Sequence, residues 1–223
     1  MLRDALLIAA KDLRIELRAR EIVPTMTLFA SLVAILSALA LYVDEQTGKL
    51  VAPGVLWIAI AFSGTLGLSR TWSREREEGA LKALLLSPIA PSSLFLGKAI
   101  GALAFVLVTE LVVAPLVGIM LHAPLLEHLG GFALLVLLGT VGFVAAGTLF
   151  GAMTARTRAR DLLLAVVLYP LVSPALLSGV VATRELFGGV PLAQLVDWIK
   201  LLVAFDLIFV VGGTWLLGVL LTD

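Results

Sequence analysis

The stretch Phe132–Met153 reads FALLVLLGTVGFVAAGTLFGAM, twenty-two residues without a charge. About 20 apolar helical residues cross the ~30 Å hydrocarbon core of a bilayer, so this stretch predicts a spanning helix. Working outward, five more runs share its character: Ile22–Tyr42, Ala52–Leu68, Ala99–Leu121, Leu162–Val181 and Leu201–Leu221. All six are continuous rather than alternating apolar and polar, which excludes a membrane β-barrel. The second is the shortest and opens on Ala52-Pro53-Gly54.

Composition agrees with that reading. Only 14% of the 223 residues are charged and 61% are hydrophobic, with a mean hydropathy of +1.10. A soluble domain carries about a quarter charged residues to keep its surface wet. Six spans and short loops use the whole length as one transmembrane domain, 1–223, and leave no room for a soluble catalytic domain. No cysteine is present, so disulfides and thiolate metal sites are excluded. No Gly-x-x-x-x-Gly-Lys-Ser/Thr phosphate loop occurs, so ATP cannot be held in that manner. The expectation is a non-enzyme. The N-terminus MLRDALLIAAKDLRIELRARE lacks an uninterrupted apolar core with a small-residue cleavage site and reads as mature sequence.

Charge distribution orients the chain. Arg3, Lys11, Arg14, Arg18 and Arg20 precede the first span; Arg70, Arg74, Arg76, Lys82 and Lys98 follow the second; Arg156, Arg158 and Arg160 follow the fourth. These are 13 of the 16 basic residues, and only Lys49, Arg184 and Lys200 fall in the other loops. The positive-inside rule then predicts both termini in the cytoplasm. Within residues 1–21, Leu2, Ala5, Leu6, Ala9, Leu13 and Leu17 recur at helical spacing opposite the charges. That pattern predicts an amphipathic helix lying in the cytoplasmic interface.

The longest segment between spans, 69–98, carries the strongest functional signal. Trp72-Ser73-Arg74-Glu75-Arg76-Glu77-Glu78 is rich in helix-forming charge, Gly79 interrupts it, and Ala80–Leu86 follows until Ser87-Pro88. A short helix over about 72–87, parallel to the membrane, is expected, with Trp72, Leu81 and Leu84 or Leu85 as anchors. Glu75 and Glu78 lie one turn apart and share a face. An exposed helix of this kind either stays solvated or docks in a groove on a partner.

Trp72–Leu84 resembles the cytoplasmic signature of the CcmB family, haem-exporter permeases of cytochrome c maturation. Trp72 fills its aromatic place, Glu75 and Glu78 its two acids, and Gly79 and Leu81 its core. Ala80 and Lys82 stand where the pattern has Ser and Glu. Pro88, Lys98, the Ala52-Pro53-Gly54-Val55-Leu56-Trp57 entry, the Lys11–Arg18 run and Tyr169-Pro170-Leu171…Pro174 are similar as well, and in matching order. The resemblance implies an all-α ABC-2 type permease: six transmembrane helices, an N-terminal interfacial helix and a cytoplasmic coupling helix. It implies a bacterial inner-membrane location and a separate CcmA-like ATPase that holds the ATP. Trp72, Glu75, Glu78, Gly79 and Leu81 would form the docking point. It also implies CcmC-like and CcmD-like partners, a second copy of the chain, and haem in the complex without a cofactor bound by this chain. Two rivals are an ABC-2 exporter of a lipid, drug or polysaccharide, and a scaffold that anchors an ATPase without transporting anything.

Glu110 and Asp206 fall inside the third and sixth spans, where a carboxylate costs about 2.5–3.5 kcal/mol on insertion scales. Each either lines a translocation path or bonds a neighbouring helix. His122 and His128 are the only histidines, separated by Pro124 in an outer loop, and read as solvated rather than as haem ligands. Gly139, Gly142, Gly147 and Gly151 allow close helix approach. Pro115, Pro170 and Pro174 interrupt spans three and five. The outer segment 182–200, apolar but broken by Gly188-Gly189-Val190-Pro191, is expected to re-enter the membrane as two short half-helices.

Overall fold

The computed structural model describes residues 1–41, 44–77, 89–154 and 160–222, with side chains at 73–77, 160–163 and 219–222 left aside. Among the described residues seven α-helices follow in order: α1 Leu2–Ala19, α2 Ile22–Leu41, α3 Glu45–Glu77, α4 Pro91–Met120, α5 Leu129–Thr154, α6 Arg160–Phe187 and α7 Val196–Thr222. Helices α2 to α7 each contain a window long and apolar enough to cross a membrane. No strand occurs among the described residues. The fold is therefore an all-α membrane bundle with six spans, as the sequence predicts.

Helix ends follow local chemistry. Arg20 adopts a left-handed φ of 53° and ends α1, its N–H bonding Glu16 O at 2.7 Å. The Glu16 side chain then accepts the Val23 N–H at 2.9 Å, satisfying one of the orphan amides in the first turn of α2. Helices α1 and α2 are joined through that carboxylate. Pro91 stands in the first turn of α4, where its missing N–H costs nothing. At the other end of α4, His122 takes a left-handed φ of 56° and the Ala123 N–H returns to Gly118 O at 3.0 Å. His122 thus holds the position usually given to glycine in a helix C-cap.

Large side chains set into glycines hold the bundle together. On α5, a Cβ at Gly139 would overlap the Trp57 ring, one at Gly147 would overlap Leu68, and one at Gly151 would lie 2.6 Å from Trp72. All three intruding residues come from α3. Trp57 is almost wholly buried, also meets Gly179 of α6, and donates Nε1–H to Thr183 Oγ1 at 3.1 Å. One tryptophan thereby ties α3, α5 and α6 together with its polar edge satisfied. The α5 glycines serve packing within the chain.

Two expectations need correction. The sequence starts a membrane-parallel helix of about 72–87 at Trp72; only that start is corrected, since α3 runs unbroken from Glu45 to Glu77. Burial of Trp72 against Gly151 holds that extra length in line with the span, and helical backbone tolerates the charges that make it look like a loop. Residues 78–88, including Glu78, Gly79 and Leu81, lie outside the described residues. The outer segment 182–200 does not form two half-helices. Helix α6 continues to Phe187, a 3-10 turn spans Leu192–Gln194, and α7 begins at Val196. The Gly-Gly-x-Pro signal is a helix stop. Gly189, at φ 88°, bonds Leu186 O, and the Val190 N–H returns to Glu185 O at 3.1 Å. This is a Schellman cap followed by proline.

Candidate functional site

Helix α1 docks on α4 through small and polar residues, not through its leucines. Ala5, Ile8, Ala9, Asp12 and Glu16 are its buried positions, while Leu2, Leu6 and Leu17 are exposed. On α4, a Cβ at Gly97 would sit 2.7 Å from Ile8 Cβ, so only glycine lets the helices approach this closely. One turn further, Gly101 faces Asp12.

The centre of this junction is Lys98. Its Nζ donates to Asp12 Oδ2 at 2.9 Å, with side chains only 2% and 7% exposed. The second Asp12 oxygen faces Lys11 Nζ at 3.1 Å. The same ammonium stands 5.9 Å from the centroid of the Trp72 ring, within cation–π range. Asp12 of α1, Lys98 of α4 and Trp72 of α3 therefore form one linked cluster, and Trp72 rests on Gly151 of α5. Trp72 lies five residues before the last helical residue of α3, at the root of the segment 78–88. A displacement of that root must move the ion pair, the glycine contact, or both.

The second polar centre is deep in the bundle. Glu110 of α4 is only 4% exposed, and its Oε1 accepts a short hydrogen bond from the Thr140 hydroxyl of α5. Its Oε2 has no partner. Asp206 of α7 is buried against the other side of α5, its Oδ1 where a Cβ of Gly142 would lie, and that oxygen is unpartnered too. Thr140 and Gly142 are two residues apart, roughly 200° around a helix, so the two carboxyls flank α5 on opposite faces. The structure does not bring them together. A cavity of about 780 Å³ between α4, α5 and the loop joining them is lined by Glu110 but not by Asp206.

The protein-family model described as CcmB protein matches residues 3–218. The chain belongs to the CcmB family. A protein of Pseudomonas aeruginosa named Heme exporter protein B is 28% identical over 208 residues, covering 90% of each chain. Its namesake in Paracoccus denitrificans is 34% identical over 190 residues, 83% of this chain and 85% of its own. That of Bradyrhizobium diazoefficiens is 29% identical over 182 residues, 80% of each. This membership and the six-helix fold agree with the resemblance read from the Trp72–Leu84 signature.

Membership does not fix where each expected residue stands. Trp72 is buried and offers no surface of its own. Glu75 lies on the last turns of α3 by its backbone. His122 is exposed and spent on a helix cap, and no cluster of three or more histidines, aspartates and glutamates that could hold a metal occurs among the described residues. The Asp12–Lys98 pair is the buried contact that sequence reading missed. Both residues stand within motifs already noted, but 86 positions separate them. The available signal was a lysine one residue before an apolar span, since a charge at such a place needs a partner.

Proposed function

We propose that this chain is the membrane permease subunit of an ABC-type export complex that serves haem handling in cytochrome c maturation. ATP is bound and hydrolysed by a separate CcmA-like ATPase. CcmC-like and CcmD-like membrane subunits and a second copy of the chain complete the assembly in the bacterial inner membrane, with both termini cytoplasmic. Family membership and the name that its relatives carry support the substrate class. The observation that carries the mechanical part is the Asp12–Lys98–Trp72 cluster at the root of segment 78–88. Glu75 and Glu78 present two acids to basic groups on the ATPase, Gly79 permits close approach, and Leu81 fills an apolar pocket. Closure of the ATPase dimer pushes on this segment, and Trp72 passes the push to α5 and, through Lys98, to α1 and α4. Glu110 and Asp206 are candidates for the translocation path, one on each side of α5.

The test is purification of the full chain from native membranes with its neighbours. The wild-type complex should carry a stoichiometric ATPase and a haem chromophore. Glu75→Lys combined with Glu78→Lys should leave the chain inserted and folded but release the ATPase. An ATPase retained at wild-type stoichiometry and activity would sink the docking assignment; a complex without haem under any condition would sink the substrate class.

A further inference from the structure

The α4–α5 cavity has features that neither packing nor the docking segment uses. Its walls are Leu107, Leu111, Ala114, Phe132, Val136 and similar apolar residues, and the loop residues Ala123 to Glu127 close one end. Its size falls within the range of small-molecule sites, about 300–1,000 Å³. Its polar groups are all of one kind. Glu110 stands on the wall with Oε2 unpartnered, and Glu127 stands at the loop end. Pro115, also on the wall, has no N–H and deprives the Leu111 carbonyl of its helical partner. The lining therefore offers carboxyl and carbonyl acceptors, and its described residues include no lysine, arginine or histidine.

We propose that this cavity binds a hydrophobic amine: an apolar body ending in one ammonium group, with the ammonium at Glu110. An ammonium brings three donors and no acceptor, which matches an acceptor-only wall. Its charge complements both carboxyls, and its tail matches the rest of the lining. An anion meets the Glu110 carboxyl with no cation among the described lining residues, so a dicarboxylate such as haem is disfavoured here, which leaves Asp206, on the other side of α5, as the better of the two candidates for a haem path. A partner's spanning helix fits less well. It must pass the full depth of the membrane, whereas the 121–128 loop closes one end of the cavity, and Leu125 is seated on Gly118 to hold that closure.

The experiment uses the full chain in phosphatidylcholine nanodiscs with three photoreactive probes of equal length: a diazirine-bearing dodecylamine, dodecanol and dodecanoate. Adducts are mapped by mass spectrometry. The amine should label residues within 107–137 at a concentration about tenfold below the alcohol, the increment of a charge-assisted hydrogen bond. Neither dodecanoate nor haem should compete with it. Glu110→Gln should erase the advantage of the amine while the alcohol still labels. Ala133→Trp fills the cavity from an exposed wall position, disturbs no core contact, and should suppress both probes. Asp197→Asn removes an exposed carboxylate elsewhere and should change nothing. Equal labelling by amine and alcohol, competition by the carboxylate or haem, or adducts outside the cavity would each overturn the proposal. So would shielding of the cavity by a partner helix in the complex purified with its neighbours.

Discussion

Asp12, buried against α4, and Glu110, buried on α4 itself, are both carboxyls, and they are used in opposite ways. Asp12 spends both oxygens, one on Lys98 and one on Lys11, in a junction sealed by glycine contacts. Glu110 spends one oxygen on Thr140 and leaves the other idle beside a cavity. A charge with all its partners in place fixes geometry, which suits a joint that transmits force. A polar group left wanting, next to open space, suits a ligand that comes and goes. Burial alone does not separate these roles; the partner count does.

The sharpest way to break this contrast is to open the sealed side. Lys98→Met leaves Asp12 buried without its strongest partner, and breaking such a pair costs about 3–5 kcal/mol. Thermal unfolding of the detergent-solubilised chain should show the largest loss of any substitution considered. Adding Asp12→Leu removes the stranded charge and should restore most of the stability, because a well-packed apolar pair is often as good as a buried ion pair. If the double variant is no better than Lys98→Met, Asp12 is not the residue that suffers. The family haem and ATPase readouts should stay impaired in the double variant even where stability returns, since the link from α1 to Trp72 has gone.

The unsealed side should respond more gently. Thr140→Val deletes the one donor to Glu110 with little change in volume, for a loss of about 1 kcal/mol or slightly more. Because the proposed amine bonds the same carboxyl, saturating dodecylamine should return more stability to Thr140→Val than to the wild type. Equal stabilisation of both chains would mean that the probe ignores Glu110.

Six spans were legible because runs such as Phe132–Met153 have no other physical reading in a chain of this composition. The boundaries were less so. Arg70, Arg74 and Arg76 mark the edge of an apolar run, but a helix does not end where its side chains turn polar, and α3 continues through all three. The face of α1 that meets α4 was not legible for a related reason. Periodicity finds the leucine stripe, and in water that stripe would be buried. Beside a bilayer the leucines can face lipid, and the small residues Ala5 and Ala9 meet the glycines of α4. Gly188-Gly189 looked like a hinge between half-helices because a C-cap and a break have the same composition. Glu110 stood out by its depth alone, but Thr140 as its donor, and the cavity beside it, depend on how α4 and α5 are rotated. No one-dimensional pattern carries that rotation.

Asp44 supplies a third environment, a carboxylate capping a helix in contact with water, and it sets the lower end of the scale. Its Oδ1 accepts the Thr47 N–H at 2.8 Å and its Oδ2 the Thr47 hydroxyl at 3.2 Å, which caps the first turn of α3. The Thr47 backbone N–H, above all, holds this carboxyl below its ordinary value of 3.8. Folding therefore favours the ionised form. The contribution is fully present above the ordinary value and is lost as pH falls through the lower, folded one. Asp44→Asn keeps an acceptor at the cap but has no proton to gain, so its cap should be indifferent to pH in this range. Hydrogen exchange of the Gln46–Gly48 amides, corrected for intrinsic rates, should show protection in the wild type holding down to about pH 4 and falling below it. The same amides in Asp44→Asn should hold a constant, slightly lower protection. Parallel curves for the two chains would show that the cap does not depend on the charge. The buried pair at Lys98 and the half-used carboxyl at Glu110 would then be the better places to look for electrostatic control.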